Sequence, residues 1–100
     1  MNVTEYLLTQ MASECNEVAH RIAKAQQFGL NETEPGKDKN NADRIVQEFS
    51  DLLGVFQMLC EKGILFMDND QLLLDIEAKI KKVERFMEYA KSLGTLKGAE

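Results

Sequence analysis

Residues 4–29 read TEYLLTQMASECNEVAHRIAKAQQFG, and the spacing within them decides the fold class. Leu7, Leu8, Met11, Cys15, Val18, Ile22 and Ala25 recur at steps of three and four residues, the signature of an amphipathic α-helix. Thr4 is the expected N-cap, with Glu5 favourably placed in the first turn. Gly29 is the expected stop. This predicts a helix from about Thr4 to Phe28.

Working outward, the spacing repeats twice. Ile45, Phe49, Leu52, Leu53, Phe56, Leu59 and Cys60 mark a second helix from Asn41 or Ala42 to Lys62, with Gly54 as a local weakness and Gly63 at its end. Leu72, Ile76, Ile80, Val83, Met87 and Ala90 form a nearly heptad seam on a third, from about Gln71 to Leu93. Asp68-Asn69-Asp70 supplies its caps and Gly94 its end. Residues 30–40, LNETEPGKDKN, are polar, turn at Pro35-Gly36, and hold no apolar anchor after Leu30. They are expected to form a mobile loop, and residues 95–100 a frayed tail. No segment alternates as a strand does. The expectation is an all-α single domain over residues 1–100, its three long helices packing into an oligomeric helical bundle. Self-association is expected because three apolar stripes exceed what one short chain can cover.

The chain has 100 residues, 44% of them apolar, and a formal charge of -5 from 17 acidic and 12 basic side chains. The acidic balance argues against a nucleic-acid partner, which calls for a basic face. No run approaches the ~20 apolar residues of a membrane span, and the first residues lack a signal-peptide pattern. A cytoplasmic location is expected. Cys15 and Cys60 each fall on the apolar side of a helix, so both are read as buried reduced thiols.

The acids are more informative. At about 100° per residue, Gln10, Glu14, Glu17, Arg21 and Lys24 share a narrow sector of the first helix, beside its apolar stripe. Asn41, Arg44, Glu48 and Asp51 do the same on the second. Carboxylates three residues apart on one face repel. Two such pairs bordering two apolar stripes converge if the helices pack, and four converging carboxylates require protons or a cation. Magnesium suits them, since it takes oxygen ligands, keeps waters and is commonly shared with phosphates.

At these residues the sequence resembles the MazG-like all-α nucleotide pyrophosphohydrolases. That family carries E-x-x-E on one helix and E-x-x-D on the next; here they read Glu14-Cys15-Asn16-Glu17 and Glu48-Phe49-Ser50-Asp51. The strings SECNEVAHRIAKAQQFGL and NADRIVQEFSDLLGVFQML are similar to small phage and bacterial members. So is IEAKIKKVERFMEYAKSLG, where Lys79 and Lys82 match spaced basic residues of the family's last helix. Two features differ: 30 residues separate Glu17 from Glu48, and Glu77 stands where some relatives have asparagine.

The resemblance implies hydrolysis of a nucleoside triphosphate to its monophosphate and pyrophosphate, in a nucleotide-pool or house-cleaning role. It implies magnesium, or manganese, on Glu14, Glu17, Glu48 and Asp51, with a nearby glutamate as base. Lys79 and Lys82, with Lys24 and Arg21, are expected to steady the pyrophosphate, and Gln10 and Asn41 to reach the base. The expected assembly is a homodimer or homotetramer. The rival readings are a non-catalytic helical interaction protein with acids that only solvate it, and a degenerate member that binds nucleotides without turnover. His20 is read as a surface residue, and Asp68-x-Asp70 as a helix cap rather than a calcium loop.

Overall fold

The computed structural model describes residues 1–97. The chain is all-α. Helices α1 (Val3–Phe28), α2 (Asn41–Glu61) and α3 (Asn69–Ser92) follow in order, and the described residues add only one isolated antiparallel bridge, Thr33 to Asn40.

The helix ends follow local chemistry. Asn2, not Thr4, caps α1: its side chain accepts from the Glu5 N–H at 2.8 Å, leaving Thr4 inside the first turn. Asparagine is at least as good a cap as threonine, so the earlier start costs nothing. Asn40 caps α2 through the Asp43 N–H at 2.9 Å. Asp68 caps α3 through the N–H groups of Asp70 and Gln71, as the sequence suggests. Gly29 ends α1 at φ 97°, a backbone region that side-chain-bearing residues rarely enter. At the far end of α3, Thr95 and Leu96 both donate their N–H to the Ala90 carbonyl, at 3.1 and 3.3 Å. Residues 98–100 of the expected tail lie outside the described residues.

Met1–Phe66 form one compact unit, and a second begins at Met67. In the first, α1 packs against α2. The sheltered residues of α1 include Leu7, Met11, Glu14, Val18, Arg21 and Ala25, with Gln10 and Lys24 beside them; those of α2 include Asn41, Ile45, Glu48, Leu52, Val55 and Leu59. Both rows alternate steps of four and three, the pattern of a narrow two-helix seam. Leu59 is fully buried and Leu7 nearly so. Burying such a side chain contributes roughly 2 kcal/mol.

This seam is rotated from the stripe that apolar spacing alone suggests. Leu8, Cys15 and Ile22 on α1, and Phe49 and Leu53 on α2, stay exposed, while Glu14, Arg21 and Glu48 are drawn in. Each apolar sector is wider than one partner helix can cover, so only its edge is used. Cys15 is therefore exposed and Cys60 half-buried, contrary to the expectation of two buried thiols. In the second unit, α3 buries no residue; Leu72, Ile76, Ile80, Val83 and Met87 of its expected seam are all exposed.

The 30–40 segment has an anchor after all, and it is polar. Asn41 is only 3% exposed. Its side-chain amide donates to the Gly29 carbonyl at 2.8 Å and to Glu32 Oε1 at 3.0 Å, tying both ends of the loop together. The Asn41 and Ala42 N–H groups reach back to the Glu32 and Leu30 carbonyls, each at 3.0 Å.

Candidate functional site

Two polar sectors occur on the α1/α2 pair. In the first, one carboxylate oxygen each from Glu14, Glu48 and Asp51 lies within 4.8 Å of the others. Two helices thus bring together three of the four acids singled out by spacing. Glu17 is exposed and outside this group.

Local amides hold two of these carboxylates. Gln10 Nε2 donates to Glu14 Oε1 at 3.0 Å, and Gln47 Nε2 donates to Asp51 Oδ1 at 3.0 Å. Gln10 was expected near a nucleotide base, and here its amide is engaged with Glu14. The donor set is all oxygen and all anionic, which fits a hard divalent cation. Oxygens on opposite sides of magnesium lie about 4.2 Å apart, twice the usual bond length.

The second sector lies towards the 30–40 loop. Arg21 follows Glu14 by two turns on α1, and Arg44 precedes Glu48 by one turn on α2. With His20, Lys24, Phe28, Glu32, Glu34, Pro35 and Asn41 they line a cavity of about 400 Å³. Arg44 Nη1 pairs with Glu34 Oε2 at 3.0 Å. That hydrogen bond is the main reason the Glu34 carboxyl lies below its ordinary value of 4.5; desolvation opposes it, and the charges of Arg44, Lys37 and Arg21 add to the lowering. Arg21 Nε is buried and has no hydrogen-bond partner among the described residues. Lys24 Nζ sits 5.7 Å from the centre of the Phe28 ring.

Lys79 and Lys82 lie on α3 and are exposed. Lys82 Nζ is 6.0 Å from the Phe86 ring centre. Their neighbour Glu77 pairs with Lys81 at 3.2 Å. Asn41, a candidate for base recognition, spends both amide protons on the loop.

Spacing placed Arg44 on the polar stripe with Glu48 and Asp51, but it did not single out Gln47, Glu34 or Phe28 as site members. Gln47 was accessible by one rule, since a glutamine four residues before an acid is a helix-face neighbour. Glu34 was not, because its partner is fixed by how the loop folds back. Comparison of the chain with protein-family models, curated proteins and solved structures returned no match.

Proposed function

We propose that the chain is a magnesium-dependent nucleotide pyrophosphohydrolase, cleaving a nucleoside triphosphate to its monophosphate and pyrophosphate. The observation that supports this most is the convergence of Glu14, Glu48 and Asp51 from two helices within 4.8 Å. Three anions so close repel one another unless a cation is shared. The resemblance of the two acidic motifs to the MazG-like family supports the same reading.

Magnesium, or manganese, bound there supplies charge neutralisation for phosphate oxygens and a more acidic water. The side chains do the rest. Gln10 and Gln47 fix the orientation of Glu14 and Asp51. A nearby glutamate accepts a proton from the attacking water. Arg21 and Lys24 offset charge on the departing pyrophosphate. The protein works in the cytoplasm as a homodimer or homotetramer. The exposed apolar residues Leu8, Ile22, Phe49 and Leu53, with those of α3, favour such an assembly.

Those same exposed residues also favour the rival, a helical interaction protein without activity. One experiment separates the two. A panel of standard and modified nucleoside triphosphates is assayed for pyrophosphate release with magnesium and with chelator. Magnesium-dependent release is expected; its absence across the panel, from protein that is oligomeric by light scattering, leaves the interaction protein as the better reading.

None of the described helices is long and apolar enough to cross a membrane.

A further inference from the structure

The cavity by the 30–40 loop has its own chemistry. Arg21, Lys24 and Arg44 bring three permanent positive charges to its wall, against two carboxylates from Glu32 and Glu34. This excess arises in a chain whose formal charge is -5. Among the described residues, Arg21 and Lys24 join no ion pair. Arg21 Nε is buried without a partner, a state that is costly for a charged donor unless something accepts from it. Phe28 offers a flat apolar face at the rim. A cavity of about 400 Å³ is in the range that takes a small ligand.

Glu34 is the second observation. It is 55% exposed, comes from the loop rather than from either helix, and meets Arg44, itself only 22% exposed. A guanidinium sheltered to that degree attracts an anion with fixed geometry. A carboxylate on a surface loop is the anion at hand.

We propose that this cavity is an oxyanion site for a phosphate or diphosphate group, held by Arg21, Arg44 and Lys24, in which Glu34 is a resident counter-ion that the ligand displaces. The site deepens the pyrophosphohydrolase reading by naming where the phosphate end of a substrate docks, since it rests on the same two helices one to two turns from the acids. Its binding needs neither metal nor turnover. The Pro35-Gly36 turn beside Glu34 lets the carboxylate leave without unfolding either helix, because the loop's ends stay tied by Asn41.

The test is calorimetric titration of the full chain with inorganic pyrophosphate in chelator, which keeps the acid cluster out of the measurement. Arg21→Gln and Arg44→Gln are expected to weaken binding about tenfold, the value of one charge-assisted hydrogen bond. Lys62→Gln, a charge removed elsewhere, is expected to leave it unchanged. Glu34→Gln is expected to tighten it several-fold, a result that no loss of folding imitates. Two outcomes overturn the site: pyrophosphate binding that is equal in wild type and Arg21→Gln, or Glu34→Gln binding no tighter than wild type. Magnesium-dependent hydrolysis measured in parallel stands or falls separately.

Discussion

Glu14 and Asp51 are each held by a glutamine four residues earlier on the same helix, whereas Arg44 is met by Glu34 from a loop ten residues away in the chain. The acidic and cationic sectors thus occupy one pair of helices and are organised at different ranges. The acids repel each other across the seam and are steadied locally. The cations are gathered by tertiary folding, and one of them, Arg21, is left with an unanswered donor. The orientation of Glu14 and Asp51 depends on neighbours in their own helices, and that of Arg44 on the loop. This difference sets how the two sectors respond to substitution.

The largest effect is expected in the acidic sector. Glu48→Gln keeps the side-chain size and removes one charge from the group of three. Loss of a ligand exceeds loss of an outer partner, so hydrolysis should fall on the order of 100-fold. The metal-free variant should be no less stable than wild type, because a repulsive charge has gone. Magnesium should raise the wild-type melting temperature by linkage and that of Glu48→Gln by less. A variant with full activity and the wild-type magnesium response removes the metal centre from consideration.

A smaller effect is expected where the loop joins the helices. Asn41→Ala removes two donors from a nearly closed site and leaves the Gly29 carbonyl and Glu32 without them. The expected loss of stability is about 1–3 kcal/mol, read from the urea midpoint at unchanged slope. It should also loosen the cationic sector and spare the acidic one, so pyrophosphate binding in chelator should fall while the magnesium-induced rise in melting temperature persists. Equal damage to both would break the distinction between them.

The smallest effect concerns pH. The Glu34 carboxyl is lowered in the folded chain, so its pairing stabilises the fold above the ordinary value of 4.5 and is lost as pH falls below that, through the lowered folded value. The charges of Arg44, Lys37 and Arg21 act on it, and Lys24, Glu32 and His20 also line the cavity. Glu34 is exposed, so the change is small. Wild type and Glu34→Gln, melted from pH 6 to pH 3, should differ at the upper end and converge at the lower. Curves that stay parallel throughout show that the pair contributes nothing to the fold.

The sequence alone determined three helices and their approximate ends, because apolar spacing at 3.6 residues, an Asx cap and a glycine stop each act within a few residues of chain. It also brought forward Glu14, Glu48 and Asp51, since phase along a helix is fixed by counting. What counting does not fix is how far a helix rotates about its own axis when it meets another. Each apolar sector here was wide enough to permit several choices. Packing chose an edge, which left Cys15 and Phe49 exposed and drew Glu14, Arg21 and Glu48 towards the seam. Nor does local pattern reveal that a polar loop is tied down by a single buried asparagine. That bond joins residue 41 to residues 29 and 32, and it exists only because α1 and α2 pack side by side and hold Gly29 and Asn41 within reach of each other.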